Sequence, residues 1–492
     1  LGTAVNVRGL ERQLQLLQEM GCNALRASHN APAPELLELF DRLGILVMDE
    51  SFDTWENSKN RTAGYNLLFA DWRKKDLQSE VRRDRNHPSI ILYSAGNEVN
   101  QQGTARGNEI LKELIGFIHA EDPTRMVTTA NNSRGFSEQS PADYVFGYNY
   151  QTDAYARYRR ENPRMAVIGS ETVSTVSSRG IYTFPVAAAP GEKTGNRAPD
   201  PHAGWDAAAF QMSSYDLYYP AWGASPDTEF AALDGDPGIA GEFVWTGFDY
   251  LGEPTPYGGR ADPARSSYFG IIDLAGFKKD RFYLYQSHWR PELPMAHILP
   301  HWNWPGRVGQ VTPVHVYTSG DEAELFLNGR SLGRRRKGPG EYRLRWDDVV
   351  YEPGVLKVVA YRNGVHWAED TVRTTGPEAK LGLTADRTRL AADGSDLCYV
   401  TVAVQDKAGL TVPTAGRRIR FEVTGPAKLV ATDNGDPTDL ESFSSKDRKT
   451  FNGLALAILR IDAGRGGRIT VRATADGLTG ADVALRSAPP SR

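Results

Sequence analysis

The stretch SIILYSAGNE, residues 89–98, joins a continuous apolar run to an amide and a carboxylate, Asn97 and Glu98. An apolar run without alternation indicates a strand covered on both faces, and such strands belong to parallel sheets. Taken alone, the polar end is better explained as an ordinary strand terminus than as half of a catalytic site. The rest of the chain decides between these interpretations.

The same pattern recurs along the first 290 or so residues, where short apolar strands with polar ends alternate with helices. The other strand candidates are NALRASHN (23–30), ILVMDESFD (45–53), RMVTTANN (125–132), YVFGYNY (144–150), MAVIGSET (165–172) and IAGEFVWTGFD (239–249). Asn6 and Gly21 mark the start and stop of one helix, and Pro34 and Gly44 those of the next. About seven such strands predict an α/β fold, a (β/α)₈ TIM barrel. Since the chain opens on a helix, we expect the first strand to lie upstream, in a longer polypeptide.

The pattern of apolar and polar residues changes after residue 306, where short strands with alternating apolar residues and Asn-Gly turns replace the helices. Asn328-Gly329 and Asn363-Gly364 each predict a two-residue hairpin turn. The sequence therefore predicts two all-β, immunoglobulin-like β-sandwich domains behind the barrel. The predicted boundaries are 1–292 for the barrel, 293–376 for the first sandwich and 377–492 for the second.

Composition excludes several classes of partner. The net charge is only -4, and no apolar run approaches the length of about 20 residues that a membrane span needs, so we expect neither nucleic acid nor membrane as a partner. The two cysteines, Cys22 and Cys398, fall in different predicted domains, which argues against a disulfide framework or a cysteine zinc site. We expect a homo-oligomer, located in the periplasm or secreted rather than cytoplasmic.

Two carboxylates stand out among the strand ends. Glu98 ends the third visible strand and Glu171 the sixth, which become the fourth and seventh if an upstream strand is counted. Strands four and seven lie on opposite sides of a barrel, so two inward side chains can flank one bound bond. A protonated and an ionised carboxyl group on two sides of a sugar are what glycoside hydrolysis requires.

Five motifs in order resemble the bacterial β-galactosidase branch of glycoside hydrolase family 2. They are LRASHNAPAPELLELFDRLGILVMDESFDTW (25–55), RDRNHPSIILYSAGNEVN (83–100), VIGSETVSTVSSRG (167–180), GEFVWTGFDYLGEPTPY (241–257) and SSYFGIIDLAGFKKD (266–280). The resemblance covers essentially the whole chain, including the trailing sandwiches. It implies retaining hydrolysis of terminal β-D-galactosides in oligosaccharides or other glycosides.

The resemblance also implies roles for individual residues. Glu98 would be the general acid/base and Glu171 the nucleophile. The other implied site residues are Asn97 on the sugar's 2-hydroxyl, Tyr150 as a donor to the nucleophile with Tyr148 as competitor, Arg26 and His29 as supports, and Trp245 as the floor under the sugar ring. Asp53 and Glu50 are either hydroxyl ligands or buried structural acids paired with arginine. Barrel packing is the alternative for Arg26, His29 and Trp245.

The chain departs from the family pattern in two respects. The family's N-terminal sandwich domains have no counterpart here, and we expect them in the full polypeptide. Some relatives bind magnesium through a histidine after the third strand, but no histidine lies between Trp55 and His87, so we expect no metal and no cofactor. Sugar identity depends on loops such as residues 191–205. The alternatives are a β-glucuronidase, for which GFKKD supplies Lys278 and Lys279 without the spacing of a carboxylate clamp, a β-mannosidase, or a non-catalytic carbohydrate-binding scaffold.

Overall fold

The computed structural model describes residues 5–59, 64–133, 144–186, 204–259 and 262–489. Most of the loop at residues 191–205, on which we expect sugar identity to depend, therefore lies outside the described residues. The chain divides into two compact units, one containing Leu1–Ser174 and Trp222–Trp245, the other Thr175–Ala221 and Thr246–Arg492.

The first unit is built on one parallel sheet, whose described part has seven strands in chain order. The strands are β1 (Ala24–Ala27), β2 (Leu46–Glu50), β3 (Ile90–Asn97), β4 (Met126–Asn131), β5 (Tyr144–Asn149), β6 (Ala166–Val173) and β7 (Ile239–Trp245). All seven coincide with strands predicted from the sequence, which confirms the barrel class.

Helices alternate with these strands, as a parallel sheet requires. They are α1 (Val7–Met20), α2 (Pro34–Leu43), α3 (Asn66–Asp84), α4 (Ala105–His119), α5 (Tyr155–Glu161) and α6 (Pro226–Gly235). The Asn6 side chain accepts a hydrogen bond from the backbone N–H of Gly9, and Gly21 ends α1 with φ 110°, so both predicted boundaries are confirmed.

The sheet curls until its two edge strands meet. His29 follows β1 and Trp245 ends β7, and their rings stack with centroids 5.4 Å apart and planes 1° apart. The seven strands thus form a nearly closed barrel with the carboxyl ends of β1 and β7 side by side.

Side chains alternate between the two faces of this sheet. Residues such as Val47, Tyr93 and Phe146 pack with the helices in the large outer core. Their sequence neighbours Met48, Leu92, Val145, Ile168 and Phe243 form a separate cluster, which alternation assigns to the barrel interior. Burial on both faces explains why these strands are continuously apolar.

The second unit contains helix α7 (Asp280–Trp289), a short pair Trp205–Asp206 with Gln211–Met212, and antiparallel sheets. A three-stranded sheet (Ala296–Leu299, Val314–Thr318, Leu344–Trp346) and a four-stranded sheet (Arg330–Arg336, Glu322–Leu327, Val355–Arg362, Val365–Arg373) share one core. A second core lies between two further sheets. One has four strands (Glu378–Ala385, Leu397–Asp406, Leu454–Ile461, Ala427–Asp433), and the other has five (Arg389–Ala391, Ala481–Ala488, Gly467–Thr474, Arg418–Thr424, Asp447–Lys449).

Both predicted hairpin turns are confirmed. Asn328 and Gly329 have φ of 51° and 82°, and Asn363 and Gly364 have 52° and 79°. Two successive positive φ angles define the turn that suits a twisted hairpin. The domain boundaries 1–292, 293–376 and 377–492 remain a proposal. Among the described residues, none of the helices has the length and apolar character that a membrane crossing needs.

Candidate active site

The polar ends of the parallel strands converge at one end of the barrel, since the carboxyl ends of parallel strands share an edge. All the catalytic and sugar-binding candidates named from the family resemblance belong to this first unit. They are Arg26 and His29 at β1, Glu50 and Asp53 at β2, Asn97 and Glu98 at β3, Tyr150 after β5, Glu171 in β6 and Trp245 at the end of β7.

Irregularities in the strands aim two of these side chains. Strict alternation from Leu92 and Ile168, which face the interior, would point Asn97 and Glu171 toward the helices. Register shifts lie just before each of them, between Ser94 and Asn97 in β3 and next to Glu171 in β6. Such bulges re-aim the side chains that follow, a common device beside active sites.

The turn that carries Glu98 is tightly packed. A Cβ on Gly96 would stand 2.8 Å from Nε1 of Trp55, so only glycine fits there. Glu98 itself has φ 43°, in the left-handed region, and its backbone N–H donates to the Ala130 carbonyl at 2.8 Å. Left-handed backbone at a non-glycine residue is costly and is found where function requires a particular side-chain direction.

The buried guanidinium of Arg26 binds three other side chains of the site. It donates to Glu50 at 2.9 and 2.8 Å and to Glu171 Oε2 at 2.6 Å. It also donates to Asn97 Oδ1 at 2.8 Å. Burial alone would lower the pKa of Arg26, but the Glu50 and Glu171 carboxylates raise it overall, so the guanidinium stays charged. One arginine therefore orients both the proposed nucleophile and the amide beside the proposed acid.

Glu171 is held by strong donors. Besides Arg26, the Tyr150 hydroxyl donates to its Oε1 at 2.7 Å, and His29 Nε2 lies 3.8 Å from Oε2. Burial and the Glu171 charge hold the pKa of Tyr150 well above its usual range, so Tyr150 stays a neutral donor. Tyr148, the competing tyrosine, lies instead in the outer core, its ring 4.6 Å from Phe146.

Glu98 has a contrasting environment. Its Oε1 accepts one hydrogen bond, from Asn149 Nδ2 at 3.0 Å. Burial, and after it the negative charge of Glu171, raise the pKa of Glu98, and the Asn149 bond and the Lys59 charge offset only part of the rise. Two carboxyl groups at one site thus differ in what they bind, the arrangement that separates an acid from an anion.

The two acids near β2 also divide into two roles. Glu50 is fully buried and bonded to Arg26, which is the structural alternative drawn from the sequence. Asp53 is different, because its side chain is 43% exposed and its ion-pair partner is Lys59, at 2.6 Å, rather than an arginine. The buried, arginine-paired interpretation is therefore wrong for Asp53, which also accepts from Asn97 Nδ2 at 3.0 Å.

Two site residues escaped the sequence analysis. Asn149 links Glu98, Asn97 and Ser170, and its place at the end of β5 was a usable signal that the two flanking tyrosines obscured. Lys59 lies in the irregular segment after β2, where no periodic pattern draws attention to it.

A second acidic cluster lies near β2. Oxygens of Asp49, Glu80 and Asp84 lie within 4.8 Å of one another. Arg83 already donates to both oxygens of Asp84, at 2.5 and 2.6 Å. Met48 faces the barrel interior, so its neighbour Asp49 faces the helices, and the cluster is separate from Glu50 and from the proposed catalytic carboxyl groups.

Comparison with domain families identifies three matching segments. Residues 1–180 match the glycosyl hydrolases family 2 TIM barrel domain, residues 309–368 a domain of unknown function, and residues 381–484 the glycoside hydrolase family 2 C-terminal domain 5.

Individual relatives resemble the chain over nearly its whole length. The β-galactosidase BoGH2A of Bacteroides ovatus is 40% identical, over 97% of this chain and 59% of the relative. A putative β-glucuronidase of Formosa agariphila is 32% identical, over 92% of this chain and 44% of the relative. The crystal structure of a β-glycosidase from Bacteroides vulgatus matches with a TM-score of 0.85 and 31% identity, over 99% of this chain and 62% of that one. The chain thus spans between 44% and 62% of these relatives.

Proposed function

Because the chain belongs to glycoside hydrolase family 2, we propose that it carries the catalytic barrel of a retaining β-galactosidase. The substrates would be glycosides and oligosaccharides with a terminal, non-reducing β-D-galactosyl group. The observation that carries the proposal is the pair of unlike carboxyl groups, with Glu171 bonded to Arg26 and Tyr150 and Glu98 bonded to a neutral amide.

The reaction follows from this difference. Glu171, held by a cation and a hydroxyl, attacks the anomeric carbon while Glu98 gives its proton to the departing oxygen. This step breaks the glycosidic bond and forms a glycosyl ester on Glu171. Glu98, now ionised, takes a proton from water, whose oxygen attacks the same carbon and releases Glu171. Two inversions leave the sugar with its original β configuration.

Neighbouring groups would support both steps. A buried proton on Glu98 is retained at a higher pH than on an ordinary glutamic acid, because burial and Glu171 raise its pKa. Asn97 is oriented by Arg26 and can donate to the 2-hydroxyl, a contact that strengthens in the transition state. Trp245, stacked on His29, supplies a flat apolar surface for the sugar ring.

The sugar is proposed to be galactose on two grounds. The 40% identical relative is a β-galactosidase. A glucuronide needs a cation for its carboxylate, and of the two lysines that the sequence offers, Lys279 is unsuited, because its buried ammonium lies 2.7 Å from Asp249 and donates to the Ser177 carbonyl. The glucuronidase alternative nevertheless keeps support from the 32% identical relative, a putative β-glucuronidase. The scaffold alternative gives no use for both Glu98 and Glu171.

Turnover by the complete polypeptide tests the proposal. Nitrophenyl β-galactoside, β-glucuronide and β-mannoside are compared at equal concentration, with Glu171→Gln, which lacks the proposed nucleophile, as the inactive control. We expect the galactoside to give the highest kcat/KM. A higher value for the glucuronide overturns the sugar assignment, and hydrolysis of none of them overturns the enzymatic proposal.

A homo-oligomeric assembly and a periplasmic or secreted location remain proposals. Analytical ultracentrifugation of the complete polypeptide and fractionation of its source cells test them. A monomer, or a cytoplasmic fraction, would contradict the respective proposal.

A further inference from the structure

Lys59 reaches the proposed active site from the loop after β2. Its ammonium lies 2.6 Å from Asp53 Oδ1, and the same oxygen accepts a hydrogen bond from Asn97 Nδ2 at 3.0 Å. Neither the family resemblance nor the reaction described above uses this lysine. The contacts form a short series from Lys59 through Asp53 to the amide beside Glu98.

An ordinary surface ion pair is the alternative explanation. The side chains of Lys59 and Asp53 are 24% and 43% exposed, and exposed pairs contribute little to stability. This ion pair differs from an ordinary one because Asp53 also binds Asn97, which is only 3% exposed and lies next to Glu98. An ion pair that is unimportant for folding can still hold a buried group in the orientation that catalysis needs.

The bonds of Asn97 define what that orientation is. Its Oδ1 accepts from Arg26 at 2.8 Å and from Asn149 at 3.1 Å, so the oxygen side of the amide is occupied. Its Nδ2 has two hydrogens, one of which is donated to Asp53. Within the described part of the chain no acceptor binds the other hydrogen, which can therefore be donated to a sugar hydroxyl, and its direction depends on where Asp53 is held.

We propose that Lys59 is a positioning residue of the catalytic site, which fixes Asp53 and through it the Asn97 amide that binds the sugar's 2-hydroxyl. The inference rests on the proposed function, since it assumes a sugar beside Asn97. Without Lys59, the Asp53 carboxylate is free to turn toward solvent, and the amide keeps its two acceptor bonds but loses a fixed donor direction.

Substrates that lack the 2-hydroxyl distinguish this role from a structural one. Lys59→Met and Lys59→Arg are prepared in the complete polypeptide and assayed on nitrophenyl β-galactoside and its 2-deoxy analogue. Lys357→Met is the matched control, since Lys357 makes an ion pair of 2.7 Å with Glu369 in the second unit. For Lys59→Met we expect kcat/KM to fall about tenfold on the galactoside, the value of one hydrogen bond, and far less on the 2-deoxy analogue. For Lys59→Arg, which keeps the positive charge, we expect a much smaller fall in kcat/KM on the galactoside. For Lys357→Met we expect kcat/KM to be unchanged on both substrates.

Calorimetric binding of D-galactose and 2-deoxy-D-galactose separates this inference from the proposed function. Weaker binding of galactose to Lys59→Met, with unchanged binding of the deoxy sugar, supports the inference even if no glycoside is hydrolysed. Equal losses on both sugars, or no loss, overturn the inference while hydrolysis by the unmodified protein leaves the proposed function standing. If the unmodified protein neither binds galactose nor hydrolyses a β-glycoside, both are wrong.

Discussion

Replacing Arg26 with methionine should destabilise the barrel, because it leaves a buried carboxylate without its positively charged partner. Glu50 is fully buried, and Arg26 supplies its compensating charge through bonds of 2.9 and 2.8 Å. The partners that remain are the Ser94 hydroxyl at 2.7 Å and the His29 imidazole at 2.8 Å. Breaking a buried pair on one side costs about 3–5 kcal/mol. For a domain of this size that lowers the midpoint of thermal unfolding by about 6 to 20 °C.

Calorimetry of the complete polypeptide measures this change. The double variant Arg26→Met/Glu50→Gln should unfold at a higher temperature than Arg26→Met, because it removes both charges. Burial raises the pKa of Glu50, but the Arg26 charge together with the His29 and Ser94 contacts lowers it overall, so the loss of Arg26 raises the pKa of Glu50. The defect should therefore be smaller at pH 5, where Glu50 can take up a proton, than at pH 8.

Arg82→Met is the matched control. Arg82 is 59% exposed and donates to Glu121 at 2.8 and 2.6 Å, so its loss should change the midpoint of thermal unfolding little. If Arg26→Met lowers the midpoint no more than Arg82→Met does, the account of Arg26 as the charge partner of a buried carboxylate is wrong.

Three further predictions concern single side chains. Tyr150→Phe should lower kcat/KM by about tenfold to a hundredfold, since it removes a hydrogen bond to a charged group, whereas Tyr148→Phe, which keeps the ring contacts of the outer core, should leave kcat/KM unchanged. In the unmodified protein the hydrogen bond from Asn149 lowers the pKa of Glu98, so Asn149→Ala should raise that pKa. Because the acid must be protonated, kcat/KM should then fall at a higher pH than in the unmodified protein. A pH–rate profile whose high-pH limb is unchanged, or lies at lower pH, contradicts this. Burial raises the pKa of Glu80 from 4.5 to about 7, so its carboxyl group costs stability progressively from pH 4.5 to 7, and Glu80→Gln should stabilise the protein by up to about 3 kcal/mol at pH 8 but little at pH 4.5 in thermal unfolding.

Much of the fold follows from local patterns in the sequence. The central barrel strands β2 to β6 are buried along most of their length, so they carry recognisable apolar runs, and the Asn-Gly turns adopt the positive φ angles that those residue types favour. The polar strand ends could also be assigned to one edge of the sheet, because the carboxyl ends of parallel strands all lie at the same edge.

The aim of individual side chains could not be predicted in this way. Tyr148 and Tyr150 are two residues apart and would face the same side of a regular strand, yet β5 ends at Asn149 and Tyr150 has φ 57°. That change of backbone sends one tyrosine into the outer core and the other to Glu171. Register shifts do the same for Asn97 and Glu171. Bulges depend on how neighbouring strands pair, which a single strand's sequence does not contain.

Covalent trapping tests the central claim most directly, namely that Glu171 attacks the sugar while Glu98 acts as the acid. The complete polypeptide is incubated with a 2-deoxy-2-fluoro-β-galactoside carrying a good leaving group, digested and analysed by peptide mass spectrometry. We predict one added fluorogalactosyl group on the peptide that contains Glu171, lost on replacement of Glu171 by glutamine. A label on Glu98, or turnover of β-galactosides with no label on either residue, would contradict the account.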